Sequence, residues 1–154
     1  MTRGTDPFGK EDASVRLLDD SGIARLLREA RTIAVVGASS NPARPSYGVF
    51  RTLLDAGYEC VPVNPNETEV WGVPAVATLT EAAAALGGQI DIVDVFRRSE
   101  LTEEVAREAV AVGAGALWLQ IGVVNDESAR IAGQAGLHVV MDRCTAIEIR
   151  RFPR

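Results

Sequence analysis

The stretch Thr32-Ile33-Ala34-Val35-Val36-Gly37-Ala38-Ser39-Ser40-Asn41-Pro42-Ala43-Arg44-Pro45 decides the fold. Its opening run is β-branched apart from Ala34 and carries no charge, as expected of a strand buried on both faces. Gly37 ends the run, and five small or polar residues follow. Pro45 suits the first position of a helix, where its missing N–H costs nothing. Val49, Phe50, Leu53 and Leu54 give that helix an apolar face, and Gly57 is a natural stop.

The same rhythm repeats downstream. Glu59 to Val63 reads as a second strand, closed by the turn Asn64-Pro65-Asn66. Thr78 and Glu81 have capping-box spacing and open a helix through Leu86. Ile90 to Phe96 is a third strand. Ser99 is the expected cap of a helix bearing Leu101, Val105, Ala109 and Val112 on one face, with Glu103 and Arg107 four apart. Ala116 to Ile121 is a fourth strand, Asn125 caps a helix ending at Gly136, and Leu137 to Met141 is a fifth strand. Upstream, Ile23, Leu26, Leu27 and Ala30 have helical spacing, with Ser21 as the expected cap. Residues 1–20, with Gly4, Pro7, Gly9 and no period, are expected to form a mobile tail, and residues 21–154 one domain.

Five strands alternating with helices predict an α/β, Rossmann-like, doubly wound parallel five-stranded sheet with helices on both faces. The simplest expected strand order is 3-2-1-4-5. Ligands of such sheets bind beyond the carboxyl ends of the strands. That edge collects Gly37 to Arg44, Asn64 to Asn66, Phe96 to Ser99, Gln120 to Val123 and Asp142 to Cys144.

Composition narrows the function. The 154 residues carry 16 basic and 21 acidic side chains, a net charge of −5. Nucleic acid or an anionic membrane surface would need a clustered positive field, so neither is an expected partner. The longest uncharged run, Ala109 to Asn125, is broken by Gly113, Gly115 and Gly122 and is too short to span a bilayer. With no apolar export signal at the start and only two cysteines, Cys60 and Cys144, a cytoplasmic location is expected.

At the ligand edge, Gly37, Ala38, Ser39, Ser40 and Asn41 can offer backbone N–H groups and hydroxyls to a phosphate. Arg44 can add a charged donor. Only the first glycine of the dinucleotide fingerprint is present, and strand two ends in Asn64 rather than the acid that an NAD ribose favours. Arg97 and Arg98 after strand three, and Arg143 after strand five, add positive charge to the same edge. His138 opens strand five, at the opposite edge from Ser39, so no Ser–His couple forms. One histidine and two distant cysteines make no metal site. Asp91 and Asp94, three apart on a strand, are not a carboxylate pair. Trp71 and Trp118 are expected in the core. No catalytic or metal-ligating residues are assigned.

Several of these segments are similar to one family. Ile33-Ala34-Val35-Val36-Gly37-Ala38-Ser39, Arg44-Pro45-Ser46-Tyr47, Val61-Pro62-Val63-Asn64-Pro65, Asp91 to Arg98, Leu117-Trp118-Leu119-Gln120-Ile121-Gly122 and Val139 to Cys144 resemble single-domain CoA-binding proteins. These in turn resemble the CoA-binding domain of the succinyl-CoA synthetase α subunit. The resemblance implies coenzyme A, or an acyl-CoA, at the carboxyl edge. By position, Gly37, Ala38, Ser39, Ser40, Asn41 and Arg44 would meet its phosphates, and Asn64 and Pro65 would line the nucleotide side. Phe96 and Arg97 would wall the adenine or pantetheine, with Gln120 and Gly122 flanking the emerging arm. Three departures stand out: Ala146 replaces a lysine frequent in the family, Asn66 and Glu67 stand where the synthetase carries a basic residue, and the synthetase's catalytic domain has no counterpart. The expected function is a CoA-binding protein without catalytic machinery. The alternatives are a ligase subunit needing a separate catalytic chain, an NAD-type oxidoreductase fragment, or a module regulated through Cys144. A homo-oligomer is left open.

Overall fold

The computed structural model describes residues 16–153; most of the expected tail therefore lies outside the described residues. Strands β1 (Thr32–Val36), β2 (Glu59–Val63), β5 (Ile92–Val95), β6 (Ala116–Leu119) and β7 (His138–Val140) form one parallel sheet. A two-stranded hairpin, β3 (Glu69–Val70) with β4 (Val73–Pro74), lies between β2 and the next helix. The α-helices among the described residues are α1 (Asp20–Glu29), α2 (Pro45–Asp55), α3 (Leu79–Ala85), α4 (Thr102–Ala111), α5 (Asp126–Gln134) and α6 (Thr145–Arg151). The α/β, Rossmann-like architecture is as expected.

The strand order is not. It runs β2-β1-β5-β6-β7, so the third long strand pairs with the first instead of lying outside the second. The reason is legible in Pro62. A proline has no N–H for a ladder and is confined to sheet edges. The Pro62 carbonyl accepts a bond from Val76 N (3.0 Å) on the outer side, where only an isolated bridge, Val63 to Val76, continues the sheet. Strand β2 is therefore the edge of the five-stranded sheet. The β2-to-β5 connection crosses β1, which puts α3 on the face opposite α2.

Two apolar layers result. Leu79, Ala82, Val105, Ala109, Ala129 and Ala132, from α3, α4 and α5, pack on Ala34, Val36, Val93 and Leu117. On the other face, Ile23, Leu27, Phe50, Leu53 and Ile149, from α1, α2 and α6, pack on Ile33, Val35, Ile92 and Trp118. Truncating a fully buried residue such as Phe50 to alanine would cost about 3–5 kcal/mol.

Local signals mostly act as read. Pro45 opens α2, the Thr78–Glu81 capping box closes reciprocally, and Asn125 accepts from Ser128 N. Two caps differ. Asp19, one residue outside α1, accepts from Gly22 N (2.9 Å), while Ser21 sits inside the first turn and donates to Asp19. Ser99 begins a 3-10 turn ahead of α4 (Ser99–Leu101), and its hydroxyl accepts from Val124 N (2.9 Å), tying two loops together. Trp118 is core as expected. Trp71 is not: it is 40% exposed at the hairpin turn with φ +53, stacked on Tyr47 at 4.5 Å under Arg51.

Candidate ligand cleft

Because β1 leads outward to β2 while β5 leads the other way to β6, the switch point lies between β1 and β5. Gly37 makes the approach there possible. Its φ is +83, and a Cβ on it would stand 2.2 Å from the Phe96 carbonyl oxygen, so no side chain fits. Above this point opens a cleft of about 940 Å³.

The cleft gathers Gly37, Ser39, Arg44, Asn64, Pro65, Phe96, Arg97, Gln120 and Gly122 from the residues read in the sequence. Ala38, Ser40 and Asn41 stand beside it. Ala38 is fully buried, and its carbonyl accepts from the Asn64 amide (2.9 Å), which pins the two loops to each other. Arg44 and Arg97 are exposed, and neither forms an ion pair among the described residues. Arg98 also lines the cleft and lies 3.6 Å from Glu100. Arg143 does not serve this edge. It bonds Asp20 (2.9 Å) and Glu148 (3.4 Å), in a cluster with Arg151 that staples α1 to α6. Cys144 lines the cleft half-buried, and exposed His138 sits at the opposite edge of the sheet.

Three features of the cleft lie outside the sequence reading. The first is Glu67, whose carboxylate accepts from Ser40 N at 2.9 Å and lines the cleft. The Ser40 N–H, then the Ser40 and Ser39 hydroxyls, hold its carboxyl below the usual range. The second is a sealed polar network under the cleft floor. Asp94, 0% exposed, accepts from the Gln120 amide and from Thr145 Oγ1 (3.0 Å), and Gln120 also donates to Thr145 (3.0 Å). Burial pushes the Asp94 carboxyl up to about 7, although the bonds from Gln120 and Thr145 pull the other way. Gln120 is thus a floor residue whose amide points down. A charged residue inside the apolar run Ile92-Val93-Asp94-Val95 was the signal for this network. The third is the apolar wall of Val49, Ile121 and Ile147, two of which, Ile121 and Ile147, are among the large exposed apolar side chains.

Chemically the cleft offers cations, hydroxyls, an aromatic edge and apolar surface, which suits a mixed anionic and apolar ligand. A family model described as a CoA binding domain matches residues 31–150. The uncharacterized protein YneT of Bacillus subtilis is 43% identical over 125 residues, covering 81% of this chain and 90% of that protein. A solved structure of a hypothetical protein from Pyrococcus horikoshii has a TM-score of 0.82 at 33% identity, covering 98% of this chain and 99% of the other. The α subunit of the ADP-forming acetate–CoA ligase II of Pyrococcus furiosus is 27% identical over 128 residues, 76% of this chain but only 27% of the subunit's length. By the family match and the YneT likeness together, this chain belongs to the CoA-binding-domain family.

Proposed function

We propose that the protein binds CoA or an acyl-CoA in the cleft at the carboxyl edge of the sheet, as a cytoplasmic binding protein rather than as a catalyst. The observation that carries this reading is the placing of two exposed arginines, Arg44 and Arg97, neither in an ion pair among the described residues, in one large cleft at the switch point. A ligand with separated phosphates, a ring system and a long thin arm uses such a cleft fully. Ser39, Ser40, Asn41 and Arg44 then serve the phosphates, Asn64 and Pro65 the nucleotide, Phe96 and Arg97 the ring or arm, and Gly122 the exit of the arm. Sole histidine His138, at the far edge, supports binding over acid–base chemistry. The thiols of Cys60 and Cys144 are free, which fits a reducing compartment.

A second reading is favoured by the ligase likeness: the chain serves as the CoA-binding part of an assembly whose catalytic chain is separate. Both readings require CoA to bind. Arg44→Ala removes a charge-assisted donor from an exposed cap position that makes no side-chain cap bond, so the fold survives. CoA affinity, measured by calorimetry, should fall about ten- to hundredfold. Unchanged affinity would take Arg44 out of the site.

A further inference from the structure

The β1–α2 loop already holds an anion. Five of its backbone donors have acceptors close by: Gly37 N has Val63 O (2.9 Å), Ser39 N has Ser46 Oγ (3.1 Å), Asn41 N has Ser39 Oγ (3.0 Å), Ala43 N has Asn41 Oδ1 (2.9 Å) and Arg44 N has Asn41 O (3.0 Å). Each of these acceptors is neutral. Four of the five bonds lie within the loop and the first turn of α2, and the Val63 bond continues the sheet. Ser40 N differs, since its acceptor is the charged carboxylate of Glu67, brought in from the turn after β2. The Ser40 N–H first, then the Ser40 and Ser39 hydroxyls, hold that carboxyl below its usual range. A loop N–H committed to a carboxylate oxygen is the kind of donor that such loops give a phosphate oxygen.

We propose that Glu67 is the resident anion of this loop, displaced when a phosphate-bearing ligand enters, and that it thereby sets the ligand class to molecules carrying more than one phosphate. This rests on the CoA reading of the cleft but adds a residue and a selectivity to it. A phosphate that takes Ser40 N must evict a carboxylate bound by that same donor, so the exchange yields little by itself. A ligand whose further phosphates reach Arg44 or Arg97, and whose apolar arm lies on Ile121 and Ile147, gains enough elsewhere to drive the eviction. Glu67 is half-buried at the rim, and its turn is anchored by Asn64 rather than by Glu67 itself: Asn64 Oδ1 accepts from Asn66 N (2.9 Å), and the Asn64 carbonyl accepts from Glu67 N (3.2 Å). The side chain can therefore leave without unfolding the turn.

The test compares the wild type with Glu67→Gln, which removes the charge, and Glu67→Ala, which also frees the donor. Calorimetry with CoA and with inorganic pyrophosphate is run on each, and circular dichroism melts without ligand verify that each is folded. Both variants should bind CoA about tenfold tighter than the wild type, and should gain affinity for pyrophosphate by a similar factor. If the wild type binds CoA and the variants bind it equally or more weakly, the inference falls and the CoA reading stands. If no protein binds CoA but the variants gain pyrophosphate, the inference stands and the CoA reading falls. Failure of both ligands on all three proteins overturns both.

Discussion

Cys60 and Cys144 show how far environment separates two identical side chains. Cys60 is buried in the α1–α2–α6 layer, and burial first, then the Asp94 and Glu59 carboxylates, push its thiol up to about 12. At pH 8 only about one molecule in ten thousand would carry the reactive thiolate there. Cys144 is half-buried and lines the cleft. Iodoacetamide should therefore label Cys144 first, and bound CoA should slow that labelling. Peptide mass spectrometry showing Cys60 labelled first would contradict the placement of both. At this scale much was legible. Gly37 announces the end of β1 because the close approach to Phe96 admits no side chain. Cys60, which opens the apolar run Cys60-Val61-Pro62-Val63, announces burial. Glu67 did not announce its role, because its partner is a backbone N–H 27 positions away, and no local spacing encodes that. Arg143 misled for a similar reason: its partner Asp20 lies 123 positions away.

Among the elements, α6 depends on the network beneath it. Thr145 on α6, Gln120 at the end of β6 and Asp94 on β5 close a triangle of hydrogen bonds with no solvent contact at its carboxyl. The Asp94 carboxyl, at about 7 in the folded protein against 3.8 ordinarily, binds its proton more tightly when the chain is folded. The resulting stabilisation is complete below the ordinary value and is lost as pH rises through about 7, by at most about 4 kcal/mol. Asp94→Asn removes this titration while preserving shape. Between pH 5 and pH 8 the melting temperature of the wild type should fall relative to that of Asp94→Asn. A difference between the two proteins that does not change with pH would show that Asp94 stays ionised throughout. Helices with local caps, α2, α3 and α5, were readable from Pro45, Thr78 and Asn125. The α6 helix was not, because Cys144 at its N-cap makes no side-chain cap bond and its tether to the sheet is long-range. The β3–β4 hairpin escaped because two-residue strands have no period to detect, and Trp71 at its turn adopts a left-handed backbone usually left to glycine or asparagine.

For the whole molecule, the alternation of strands and helices fixed the architecture but left the strand order open, because either order satisfies right-handed crossovers. Pro62 was the local clue, since it makes β2 an edge. The consequence is functional: the switch point lies between β1 and β5, so the cleft takes one wall from the Gly37–Arg44 loop and another from Phe96 and Arg97. Net charge of −5 does not oppose an anionic ligand there, because the exposed Arg44 and Arg97 set the local field. The proposed occupant of this cleft is CoA. A thermal-shift titration of CoA, dephospho-CoA, pantetheine, NAD, NADP and ATP at fixed ionic strength tests it most directly. At one hundred times its dissociation constant a ligand adds about 2.7 kcal/mol. For a chain this size CoA should then raise the melting temperature by roughly 5–11 °C, more than any of the other five, with pantetheine doing least. A shift by NAD equal to or larger than that by CoA would contradict the account.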